Sequence, residues 1–76
     1  MQRWQYLTVV TDQAKYQLVA RSVNGQELRD WKKTPLDMFL IQLGTDGWEM
    51  TGTISASTVG ASRGWDHVLF FKRPQP

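Results

Sequence analysis

The stretch from Leu36 to Gly52, LDMFLIQLGTDGWEMTG, constrains the fold more than any other part of the chain. Leu36, Phe39, Leu40 and Leu43 follow the spacing that lines one face of a 3.6-residue helix. Thr34 stands where an N-cap hydroxyl can accept from the first turn, and Pro35 follows at the position where a missing N–H costs nothing. Asp37 suits the positive end of the helix dipole. Gly44 is expected to end the helix, with turn chemistry following at Asp46-Gly47. A helix of about ten residues is not stable alone, so its apolar face needs a sheet. Beyond the turn, Trp48, Met50 and Ile54 alternate with Glu49, Thr51 and Thr53, the period of a strand. Gly52 interrupts that pattern and marks a bulge or a close approach of the helix.

The remaining segments supply the sheet. Arg3 to Thr11 is aromatic and β-branched, and reads as a first strand. Asp12-Gln13 is the expected turn into a second strand, Lys15 to Val23. Asn24-Gly25 is the strongest hairpin signal, because a type I′ turn needs positive φ at both central residues. That register sets Val23 opposite Gln26, Arg21 opposite Leu28 and Leu18 opposite Trp31. Ser55 to Gly64 is small and polar and reads as a loop, and Trp65 to Arg73 is the last strand. The expectation is a single α+β domain over residues 1–76: an antiparallel β-sheet of four to five strands, β-β-β-α-β-β, with one helix packed on one face.

One helix covers one face, yet the first and last strands are apolar on both. Trp4 and Tyr6 are bulkier than Leu7 and Val9 and are expected under the helix. Leu7, Val9, Val19, Leu69 and Phe71 are then left without a cover, and the expected occupant of that face is a second copy of the chain. A homodimer is the simplest such assembly. The competing reading is that the hairpin and loops fold over the same face.

Composition removes several function classes. The chain has no cysteine, which excludes disulfides and thiolate metal sites. It contains no apolar run of the roughly 20 residues that span a bilayer and no secretory pattern, so cytoplasmic residence is expected. A net charge of +2 argues only weakly for nucleic acid.

Three segments together, Trp4-Gln5-Tyr6, Leu40 through Glu49 (LIQLGTDGWE) and Phe70-Phe71-Lys72-Arg73-Pro74, resemble the small bacterial proteins catalogued as domain of unknown function 4177. The departures are Gln5 where that family usually has Glu and Gln42 where it commonly has Asn. The resemblance implies a small bacterial α+β domain and brings no activity, cofactor or ligand with it.

Individual residues give little catalytic signal. His67 is the only histidine, and no second ligand stands at metal-binding spacing from it. Glu49 lacks a positioned titratable partner, and Ser55, Ser57 and Ser62 lack a nucleophile-elbow context, so no enzyme and no cofactor is expected. Arg21, Arg29, Trp31, Lys32 and Lys33 interleave cations with an aromatic near the hairpin, a pattern that can follow a phosphate backbone. Glu27 and Asp30 dilute that charge, and a solvated ribbon is the simpler reading. Arg63 and Trp65 border a glycine-containing loop that could hold a small anion, against the simpler reading of a plain connecting loop. The leading expectation is therefore a self-associating binding or assembly module, with a nucleic-acid-binding hairpin as its alternative.

Overall fold

The structure is a computed structural model and describes residues 1–57 and 65–76. It is a five-stranded antiparallel sheet with one helix: β1 (Trp4–Ala14), β2 (Gln17–Val23), β3 (Gln26–Glu27), a 3₁₀ turn (Trp31–Lys33), α1 (Leu36–Thr45), β4 (Glu49–Ser57) and β5 (Trp65–Pro74). The spatial order is β3-β2-β1-β5-β4. The two strands that are apolar on both faces, β1 and β5, pair with each other and are flanked on both sides. The expected α+β class and element order hold.

The faces are the reverse of the expected ones. Val9, Ala20, Leu43, Leu69 and Phe71 form the buried cluster, with Leu7, Val23, Leu28, Leu36, Phe39, Leu40 and Trp48 packed against it. Thus Leu7, Val9, Leu69 and Phe71 lie under the helix and are not a free oligomer face. Trp4 and Tyr6 lie on the other side, where Tyr6 keeps 69% of its surface exposed. The reason is shape. Branched aliphatic side chains and Phe71 interdigitate with a short helix presenting three leucines and a phenylalanine, whereas Trp4 and Tyr6 carry polar atoms better served at the surface.

Val19 also leaves the expected free face, by a different route. It pairs with Asp12, so both point away from the helix, yet Val19 is fully buried. The 3₁₀ turn packs against both β2 and β1, and an element lying beside the edge of β2 would not reach β1. The turn therefore lies over the hairpin end of the sheet, on the side of Asp12 and Val19. One part of the helix-free face is covered by the chain itself.

The turns shift from their expected places. β1 runs on through Asp12 and Gln13 to Ala14, and the turn falls at Lys15-Tyr16, with Lys15 at φ 57. Asn24 and Gly25 have φ 51 and 84, the two positive values that the sequence demanded, and Val23 pairs with Gln26. The Leu28 amide still donates to the Arg21 carbonyl at 2.8 Å. The chain then leaves the ladder, so Trp31 does not meet Leu18 across a strand.

The helix cap is displaced as well. Thr34 does not cap the N-terminus: its hydroxyl donates to the Asp30 carbonyl at 2.9 Å, and the cap position is Pro35. Gly44 is helical, and Gly47, at φ 88, is the left-handed residue. The Trp48 amide donates to the Leu43 carbonyl (2.9 Å) and the Gly47 amide to the Gly44 carbonyl (3.1 Å), the paired bonds of a Schellman end. The bulge expected near Gly52 is present between Met50 and Gly52 in the β4 register.

Candidate functional site

Two surfaces remain after the core is assigned. The first is the open part of the helix-free face. Strand register stacks it in rows: Tyr6 beside Lys72 and Glu49, then Thr8 beside Phe70 and Gly52, then Val10 beside Val68 and Ile54. Trp4 closes one end, with the Lys72 ammonium 4.2 Å from its ring centroid. Phe70 sits in the middle row between two small residues, and the space where a side chain at Gly52 would project is empty to 4 Å. Lys72 and Glu49 place opposite charges at the Tyr6 end of this patch.

The second surface is a groove at the hairpin end. Two anchors hold the 3₁₀ turn there. Lys33 N–H donates to the Asp30 carbonyl at 2.9 Å, and the Thr34 carbonyl accepts from Ala20 N–H at 3.1 Å, which returns the chain to the edge of β2. Trp31 is oriented from behind by a layered contact. The Asp12 carboxylate accepts from the Arg21 guanidinium, and that guanidinium stacks 4.7 Å from the Trp31 ring centroid. Arg21 occupies the bulge of the β1–β2 ladder, which is how a side chain of β2 reaches back over β1.

In front of Trp31 lies an open volume of about 810 Å³ lined by Gln13, Ala14, Lys15, Gln17, Trp31, Lys32 and Lys33. Among the described residues the lining holds three lysines and no carboxylate. Lys32 places its ammonium 5.5 Å from the Trp31 ring centroid. Of the hairpin residues singled out from sequence, the structure brings Trp31, Lys32 and Lys33 together at this groove. It places Arg21 behind the ring, bonded to Asp12 and 4.0 Å from Glu27. Arg29 is exposed and does not line the groove.

Lys15 is the residue the sequence reading missed. The misplaced turn at Asp12-Gln13 put it inside a strand, and nothing at Lys15-Tyr16 resembles the glycine and asparagine that usually mark a two-residue turn. A lysine at positive φ costs roughly 1–2 kcal/mol relative to the ordinary regions.

The other sequence candidates do not converge. Arg63 lies outside the described residues, and so does the side chain of Trp65, whose backbone opens β5. His67 is half-buried, and its backbone N–H and carbonyl both bond the Thr11 hydroxyl at 3.2 Å. Among the described residues no group of three acidic or histidine side chains gathers as a metal site, and no helix is long and apolar enough to cross a membrane.

A third cluster is structural. Gln5, Asp46, Trp48 and Arg73 meet where β1, the helix end and β5 converge. Arg73 Nε donates to Gln5 Oε1 at 2.7 Å, its Nη1 donates to the Asp46 carbonyl at 2.8 Å, and its guanidinium lies 4.3 Å from the Trp48 ring centroid. The three segments that carry the family resemblance are thus joined by one arginine. Comparison with protein-family models, with curated proteins and with solved structures finds no match to this chain.

Proposed function

We propose that this chain is a bacterial, cytoplasmic, non-enzymatic binding or assembly module that self-associates through the open part of its helix-free sheet face. The observation that carries the reading is the apolar patch of Tyr6, Val10, Ile54, Val68 and Phe70, which the helix and the 3₁₀ turn leave uncovered, with Ile54 53% exposed. A patch of this kind on three adjacent strands is unusual for a monomer.

A second copy fits the patch better than an arbitrary partner because knob and hole lie on the same surface. A two-fold axis near Phe70 brings each Phe70 ring toward the open space over the other copy's Gly52, an isologous contact. The charged pair Lys72 and Glu49 then falls at the rim, where interfaces are polar. The family resemblance adds the bacterial source.

Multi-angle light scattering over a concentration series tests this. The parent is expected to scatter with the mass of a dimer at tens of micromolar, and a Tyr6→Lys, Ile54→Lys double variant with that of a folded monomer. A parent that stays monomeric at high micromolar concentration removes the proposal.

A further inference from the structure

We infer that the groove in front of Trp31 binds a nucleoside phosphate unit, with the phosphate held by Lys15, Lys32 and Lys33 and the base laid against the exposed part of the indole. The inference rests on residues separate from the sheet face proposed for self-association.

Four observations converge on it. The first is charge: three lysines and no carboxylate are found among the described residues that line the groove, although the chain as a whole carries seven acidic residues against nine basic ones. Such local segregation is what an anion site requires and what a generally solvated ribbon does not produce. The second is the aromatic plane. Trp31 is braced by Arg21, which is itself fixed by Asp12, so the ring is held before any ligand arrives. Pre-set stacking surfaces are how proteins hold bases without reading their sequence.

The third observation is the backbone at Lys15. A two-residue turn with φ 57 favours asparagine or glycine, and a lysine stands there instead. Strain retained at a position that also lines a groove points to a use for the side chain. The fourth is size: the volume of about 810 Å³ in front of the ring lies within the range of small-ligand sites. Plain phosphate would use the lysines alone, and the aromatic plane beside them is what adds the nucleoside to the inference.

A free nucleotide and a single strand share this chemistry, and the experiment separates them. ATP is titrated by calorimetry, a fluorescein-labelled octamer of adenosine RNA by anisotropy, and inorganic tripolyphosphate serves as the base-free control. Binding of ATP alone identifies the free nucleotide as the source, and binding of the octamer alone identifies the strand; either supports the site. For the octamer, the slope of log affinity against log salt is expected to be about 0.7 per phosphate contact. Lys33→Gln and Lys15→Asn are each expected to lower that slope by about one contact and to weaken ATP binding at least about threefold. Lys15→Asn separates binding from folding, because asparagine tolerates the left-handed turn and the variant is expected to melt at or above the parent temperature. Lys72→Gln, on the other part of the sheet, is expected to leave binding unchanged. The inference is overturned by absence of binding of both ATP and octamer up to about 1 mM, by tripolyphosphate binding as tightly as ATP, or by lysine variants that bind like the parent.

Discussion

The Arg21 guanidinium of β2 donates to the Asp12 carboxylate of β1, and it does so from the one position that the ladder skips. The register passes from Val10 opposite Ser22 to Thr11 opposite Ala20, leaving Arg21 as the bulge residue. Asp12 is 5% exposed and also accepts from the Gln13 amide at 2.7 Å, so its carboxylate is integral to the hairpin. Asp12→Ala is expected to destabilise the fold by about 1–3 kcal/mol, toward the lower end because the half-exposed Arg21 regains water. Arg21→Lys keeps the charge and loses the flat stack on Trp31, an expected cost of about 1 kcal/mol. Urea unfolding of both variants measures these values, and a neutral Asp12→Ala would contradict the role of the bulge.

The two glycines at the end of the helix predict opposite outcomes. Gly44 is inside the helix with open space where a side chain would project, so Gly44→Ala is expected to stabilise by about 0.8–1 kcal/mol. Gly47 has equally open space but sits at φ 88, so Gly47→Ala is expected to destabilise by about 1–2 kcal/mol. Thermal melts of the pair suffice. A loss at Gly44 would return the helix end to the place the sequence first indicated.

That displacement shows where sequence reading reaches its limit. Local signals with one steric solution were legible: Asn24-Gly25 fixed its hairpin, Leu36 to Leu43 fixed the buried face of the helix, and Gly52 marked its bulge. Where two residues satisfied the same local rule, the sequence offered no means to choose. Gly44 and Gly47 both suit a helix end, and the choice was made by the 2.9 Å bond from Trp48 to Leu43, which needs Trp48 already docked. The faces of β1 posed the same difficulty, since Trp4 and Tyr6 outweigh Leu7 and Val9 in bulk but pack less closely under a short helix. The groove was half visible. Trp31, Lys32 and Lys33 are contiguous, while Lys15 joins them only through a turn that carries no turn residue.

Arg73 links the first strand, the helix end and the last strand. Its donors reach Gln5 and the Asp46 carbonyl, where a cation also suits the negative end of the helix dipole. Arg73→Met retains much of the apolar stem and removes both bonds and the stack on Trp48. The expected cost is about 1–3 kcal/mol, which for a domain of this size lowers the melting temperature by about 4–8 °C per kcal/mol. Arg73→Lys is expected to recover less than half of it, because a compact ammonium lacks the planar fork that reaches both acceptors while lying flat on the ring. An Arg73→Lys variant as stable as the parent would show that the charge alone matters.

The reversal of the sheet faces yields the sharpest comparison between variants. Val9 is fully buried in the cluster with Phe71 and Leu69, and Leu7 packs against it. A Leu7→Glu, Val9→Glu variant places two carboxylates in the buried cluster under the helix, at a cost exceeding the several kcal/mol of stability a small domain possesses. It is expected to be unfolded by circular dichroism at every concentration. Tyr6→Lys, Ile54→Lys changes residues that are more than half exposed and is expected to keep the parent spectrum. Only the second variant can therefore report on assembly, since a fall in mass of the first would follow from unfolding. If the first pair folded and the second did not, the helix would have to pack against Trp4 and Tyr6, and the proposed self-association surface would move to the opposite side of the sheet.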